Sequence, residues 1–406
     1  MTAGPVADTT RPRQNFAALS GVRAIAAYAV VATHAGFESG RSLDNGPFAS
    51  VLARLNFGVT LFFLLSGFLL SRQFLTDTSR LSPGRVAHFW WRRALRIFPA
   101  YFLAIAGTLA LLSTQRSTVG DWLSYLFLVQ TYDHHYTNHS LSQSWTLVVE
   151  ISFYAALPLL IWAARLIRRP RHQQLTLLVF AMSAAALATN LFIHFRYGGS
   201  SISLLWLPDY LDWFALGILL ASLSFEPTAT RWRRTLTDWA KSPGTCWIVG
   251  ALTFWLFTLP LAGPYDVTPG TTWEWTLYHL LAGISAFFFL LPLTQGGTWW
   301  SERLLGNRAM QWLGEISYGV YLWHLGLLLA IARWLNWPVF SGHFFALFGL
   351  TAIAATAVAA VSWHLIERPL LRRFSSSWRA VTRSKASNQD DADRGKAEHL
   401  HPSATG

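Results

Sequence analysis

The chain has 406 residues, of which 52% are hydrophobic, 15% aromatic and 13% charged, about half the charged share of an ordinary soluble domain. That balance argues against a cytosolic globular enzyme. The net charge of +12 would suggest nucleic-acid binding in a soluble protein, but 21 Trp and 28 Phe make the composition wrong for it, and no nucleic-acid partner is expected. A single cysteine, Cys246, excludes internal disulfides and any Cys-rich metal site.

Residues 1–15 are polar, and the apolar run that follows carries an arginine, so the start does not read as a cleavable signal. Apolar runs of about 20 residues cross a bilayer as helices. In chain order they fall near residues 17–34, 55–74, 97–114, 145–164, 174–195, 204–225, 246–262, 274–295, 313–334 and 343–364. The expected fold is therefore all-α, a multipass transmembrane bundle of about ten spanning helices. An eleventh run, 122–129, is too short to span and is expected to be re-entrant or interfacial.

Charge sets the expected orientation. With ten spans and the N-terminus inside, 26 of the 32 Lys and Arg fall in cytoplasmic segments and five in outer loops, with Arg23 inside the first span. Both termini are then cytoplasmic in a cell inner or plasma membrane, and the basic excess meets anionic lipid headgroups. Residues 374–406 are polar with mixed charge and read as a disordered cytoplasmic tail, residues 1–15 as a short cytoplasmic N-terminus.

Ionisable residues inside spans are costly and mark candidate sites. Arg23 and His34 lie eleven residues apart, on one face of a helix and about 16 Å along it. Alternatively, Arg23 snorkels to headgroups and His34 closes the helix. Glu150 in the fourth span has a depth like that of His34, so a carboxylate–imidazole pair suits a general base. Glu38 is a competing partner for His34, and Glu150 could instead be satisfied by Ser144 or Tyr154. Arg92, Arg93 and Arg96, with Trp90 and Trp91 nearby, suit a polyanionic ligand or a positive-inside anchor. Tyr318, Tyr321 and His324 share a stripe in the ninth span, and Glu367-Arg368-Pro369 closes the tenth. His134, His135 and His139 lack metal-ligand spacing, and no metal site is expected.

Six elements recur in order: Ala18-Leu-Ser-Gly-Val-Arg23 with His34, Phe62-Phe-Leu-Leu-Ser66-Gly67, the Arg92-Arg93 and Arg96-Ile-Phe-Pro99 run, Trp145-Thr-Leu-Val-Val-Glu150-Ile-Ser-Phe-Tyr154, Ile316-Ser-Tyr-Gly-Val-Tyr321-Leu-Trp-His324, and Ile366-Glu-Arg-Pro369. In this order the chain resembles the acyltransferase-3 family of integral membrane O-acyltransferases, over about residues 16–373. Ser20 stands where the family's usual acidic residue precedes Gly21. Lacking a fused hydrolase-like domain, the chain resembles stand-alone members, including those that acylate macrolides in actinomycetes.

The resemblance implies transfer of an acyl group, commonly acetyl, from acyl-CoA as donor substrate to a hydroxyl of a sugar, a cell-envelope glycan or a macrolide. It implies His34 as general base or transient acyl carrier, with Glu150 as its partner, Tyr321 or His324 as oxyanion donor, and Arg23, Arg92, Arg93 and Arg96 on the CoA phosphates. A multipass transporter or flippase of a small hydrophobic or lipid-linked substrate is the alternative function.

Overall fold

The computed structural model describes residues 16–76, 81–112, 119–132, 139–198, 202–265, 270–295 and 300–374. Among these, regular structure is helical throughout, with no strand. The long elements are α1 (Ala17–Glu38), α3 (Phe57–Leu75), α4 (Pro83–Leu112), α6 (Trp145–Leu166), α7 (Arg171–Tyr197), α8 (Leu211–Phe225), α10 (Pro243–Phe257), α11 (Thr272–Thr294), α13 (Arg308–Trp334) and α14 (Phe344–Ser362). Shorter helices α2 (Pro47–Ala53), α5 (Val119–Leu126), α9 (Arg231–Ala240) and α12 (Trp300–Leu305) join them.

Among the described residues, seven segments are long and apolar enough to cross a membrane: Ala17–Glu38, Phe57–Leu75, Leu141–Leu166, Arg171–Tyr197, Thr272–Thr294, Arg308–Trp334 and Phe344–Phe374. The other three expected spans fall on α4, α8 and α10. The first half of α4 carries the arginine run. With 15 residues each, α8 and α10 are about 22 Å long, and 3₁₀ turns at Leu207–Tyr210 and Pro260–Ala262 extend them. The expected eleventh run is α5, eight residues long and so about 12 Å, which cannot cross a bilayer. Outward-facing Phe180, Ile248, Trp255, Phe345 and Ile353 are all exposed, as a lipid-facing surface requires.

The ten long helices run alternately between two ends of the bundle. At one end the start of α1 meets the end of α3, with Phe16 edge-on to Phe68 at 5.2 Å. There Arg165 donates to the Phe74 carbonyl at 3.0 Å and Arg85 to the Gln73 carbonyl at 2.6 Å, capping the end of α3. Glycine permits the closest crossings. A Cβ on Gly58 would lie 2.2 Å from the Ala26 carbonyl oxygen of α1, and one on Gly67 2.3 Å from the Phe214 oxygen of α8. Without a hydrophobic drive between helices in lipid, such small-residue contacts hold the bundle. They also fix how far α1, α3 and α8 are rotated about one another, and hence which side chains face inward.

Candidate active site

Two internal cavities lie on the α1 stripe. The first, about 100 Å³, is lined by Arg23, Ser66, Arg93, Arg96, Glu150, Tyr154, Tyr318 and Tyr321. The second, about 430 Å³, holds His34, Arg54, Asn56, Gln143, Glu274 and an aromatic wall of Trp145, Tyr210, Trp213, Trp275 and Tyr278. Val59 and Tyr321 line both, so the two meet there. Helical periodicity thus places Arg23 and His34 on one face as expected, but each serves its own chamber.

Glu150 does not pair with His34. Its Oε1 accepts a hydrogen bond from Ser66 Oγ at 2.6 Å and a second from the Tyr154 hydroxyl. It therefore belongs to the arginine-lined cavity. Ser144, the other hydroxyl considered for it, instead bonds the Leu141 carbonyl at 2.6 Å and Gln130. Three guanidinium groups face one carboxylate there, an excess of positive charge suited to a polyanion. Among the described residues Arg23 has neither a hydrogen bond nor an ion pair. Arg96 is anchored: it donates to the Glu315 carbonyl at 2.9 Å, lies 3.5 Å from Glu367 Oε2, and stacks 4.5 Å over Trp363. Glu367 ends a π-helical turn, Trp363–Glu367, at the close of α14, and it is buried. Arg92 is exposed and does not line the cavity.

His34 Nδ1 sits 2.8 Å from the Val30 carbonyl oxygen. A carbonyl only accepts, so Nδ1 carries the proton and the neutral ring leaves its Nε2 lone pair unprotonated, the form a general base needs. The partner ring is His324, edge-on with centroids 5.0 Å apart. His324 is fully buried, its Nδ1 bonded to the Tyr321 carbonyl at 2.6 Å. The Tyr321 hydroxyl lies between Thr146 Oγ1 at 2.8 Å and the Gln143 carbonyl at 3.0 Å, so its proton is already engaged. Glu38 ends α1 near the 336–342 loop, where its carbonyl accepts from the Phe340 amide at 2.8 Å. His134 and His135 lie outside the described residues, and no group of His, Cys, Asp and Glu with metal-binding geometry occurs among those described.

A second buried charge cluster escaped the sequence reading. Asp209, Asp212 and His279 come together between α8 and α11, behind the aromatic wall of the larger cavity. The signal for it is the same one that singled out Glu150, namely ionisable residues within apolar runs.

Residues 16–364 match a family model described as an acyltransferase domain. Among curated proteins, nodulation protein 10 of Rhizobium leguminosarum bv. viciae is 29% identical over 342 residues, covering 79% of this chain and 83% of that protein. The peptidoglycan O-acetyltransferase OatA of Listeria monocytogenes is 24% identical over 348 residues, covering 79% of this chain but only 50% of OatA, so the chain spans about half that relative's length. No solved structure matches.

Proposed function

Because the chain belongs to the acyltransferase-3 family, we propose that it is a membrane O-acyltransferase that takes its acyl group from acyl-CoA on the cytoplasmic side and passes it to a hydroxyl held beside His34. One observation carries this reading: Arg23, without a hydrogen bond or ion pair among the described residues, and the base-form His34 face two chambers that meet at Val59 and Tyr321. The smaller chamber is too narrow for a whole nucleotide. Phosphates therefore sit at the arginine mouth on Arg23, Arg93 and Arg96, and the slender pantetheine arm threads past Val59 towards His34. The larger chamber, walled by aromatic faces and edged by amides and hydroxyls, suits a hydroxyl-bearing acceptor such as a sugar ring.

In this reading His34 Nε2 removes the proton from the acceptor hydroxyl as that oxygen attacks the thioester carbon. The tetrahedral intermediate collapses, the carbon–sulfur bond breaks, and the imidazolium returns its proton to the departing thiolate. The Val30 carbonyl, accepting from Nδ1–H, stabilises the imidazolium in place of a carboxylate. His324 holds the ring's orientation from its edge. Glu150 fixes Ser66 and Tyr154 and offsets part of the arginine charge while the donor chamber is empty.

The test is release of free thiol from acetyl-CoA by the purified protein in detergent. General acid–base groups contribute 10²–10⁴-fold, so His34→Ala should lose at least about 100-fold in kcat with donor binding kept. Wild-type protein that releases no thiol above background, as a transporter would, overturns the proposal.

A further inference from the structure

Asp209 and His279 are buried ionisable groups, joined by the partly buried Asp212, and the mechanism above uses none of the three. Asp209 is 1% exposed and His279 8%. His279 Nδ1 lies 3.2 Å from Asp212 Oδ2, and Nε2 lies 3.6 Å from Asp209 Oδ2. Buried ionic groups of this kind are often replaceable by apolar side chains without loss of stability, so stability alone explains them poorly. Asp209 Oδ1 and His279 Nε2 are buried without hydrogen-bond partners, so the desolvation of the cluster is not fully offset inside it.

Their placement relative to the His34 chamber gives them a task. All three face a separate cavity of about 370 Å³ between α7, α8 and α11, and none lines the chamber that holds His34. Between the two cavities stand Tyr210, Trp213 and Trp275, whose rings form one wall of the His34 chamber. The cluster grips each of them from behind. Asp209 Oδ2 accepts the indole N–H of Trp275 at 3.0 Å. The imidazole of His279 stacks on Trp213 with centroids 4.6 Å apart and an interplanar angle of 19°. It also contacts Tyr210 at 5.3 Å and Trp275 at 5.4 Å. The His279 carbonyl accepts the indole N–H of Trp213 at 3.0 Å.

We propose that Asp209, Asp212 and His279 are positioning residues: an ionic brace that holds Tyr210, Trp213 and Trp275 as a rigid stacking subsite for a ring-bearing acceptor. The inference rests on the proposed acyl transfer and adds where and how the acceptor is held. A ring bound against Trp275 and Trp213 lies in the same chamber as His34. Releasing the brace lets the indoles turn, so acceptor binding weakens while the donor, held by arginines in the other chamber, is unaffected.

The test uses the full chain in detergent, with acetyl-CoA as donor and p-nitrophenyl glycosides of glucose and N-acetylglucosamine as acceptors, reading thiol release. Asp209→Leu removes the acceptor for the Trp275 N–H, and its acceptor KM should rise at least tenfold with the acetyl-CoA KM unchanged. Asp209→Asn keeps an oxygen that accepts from Trp275 and should restore the acceptor KM to within about threefold of wild type. Should Asp209→Leu not fold, Trp275→Phe removes the same hydrogen bond from the wall side and should again raise only the acceptor KM.

The brace is overturned if the acceptor KM stays constant, if both KM values rise together, or if the asparagine variant fails as the leucine variant does. Thiol release that no glycoside stimulates removes the ring-bearing acceptor and the brace with it. Absence of any thiol release instead removes the proposed acyl transfer, so the two failures are told apart.

Discussion

Arg23 and Arg96 line the same cavity, yet the structure sets opposite consequences for their removal. Arg96 holds Glu367 in an ion pair and caps the Glu315 carbonyl. Arg96→Ala leaves the Glu367 carboxylate, 2% exposed, with only Ser362 at 3.1 Å. Breaking a buried pair costs about 3–5 kcal/mol; with the Arg96 side chain 19% exposed and Ser362 still donating, about 2–3 kcal/mol is expected here. Among the described residues Arg23 makes no hydrogen bond or ion pair whose partner its removal would strand. Arg23→Ala removes one of three clustered positive charges, so the melting temperature should hold or rise slightly.

Towards CoA the two variants behave alike. Each loses a charge-assisted contact to phosphate, about 1.5–3 kcal/mol, which is roughly a 10- to 150-fold rise in Kd. Calorimetric titration of CoA together with thermal unfolding, both in detergent, separates the two effects. The reasoning fails if Arg23→Ala destabilises the protein as much as Arg96→Ala, or if its CoA affinity is that of wild type.

Three further outcomes follow from the same geometry. Tyr321→Phe keeps the ring at the junction of the chambers and removes a hydroxyl engaged with Thr146 and Gln143, so kcat should fall less than about tenfold; a loss of about 10²–10³, measured by thiol release, would make that hydroxyl an oxyanion donor. Gly67→Ala sets a Cβ 2.3 Å from the Phe214 carbonyl oxygen where α3 and α8 cross, and should cost about 1–3 kcal/mol as an overpacked contact, read as a lower melting temperature. Arg233 is fully buried, donating to Ser222 Oγ at 2.7 Å and to the Ser222 and Glu226 carbonyls at the end of α8. Arg233→Met removes the donor to the Glu226 carbonyl and the Ser222 hydroxyl, while the Ser222 carbonyl keeps the Glu226 amide at 3.2 Å, and should cost about 1–3 kcal/mol, checked by thermal unfolding.

What could be read from the residues alone was what one helix decides by itself. Eleven residues between Arg23 and His34 fix a shared face whatever surrounds α1, and both side chains do face the interior. Pairing between helices is another matter. Glu150 and His34 have similar depth in their runs, but depth leaves the rotation of each helix free. Gly58 against Ala26 and Gly67 against Phe214 set the rotations of α1 and α3; Ser66 of α3 then meets Glu150 of α6, and the imidazole finds a carbonyl and a second histidine instead. The Arg96–Glu367 pair joins residues at opposite ends of the chain through a π-helical turn that no periodicity announces.

The same distinction explains the brace. An ionisable residue in an apolar run is visible as a cost from sequence, and by that measure Asp209, Asp212 and His279 stood level with Glu150. What offsets the cost is visible only in three dimensions. For Glu150 it is two hydroxyls in the arginine-lined cavity; for Asp209 it is the indole of Trp275. Arg23 differs from both, since among the described residues it makes no hydrogen bond or ion pair and has only the Glu150 carboxylate of the same cavity, shared with two other guanidinium groups, to set against its charge. Three guanidinium groups around one carboxylate inside the bundle are therefore the strongest physical reason to expect an anion to enter there, and they make the affinity of Arg23→Ala for CoA the measurement on which the proposed donor assignment stands.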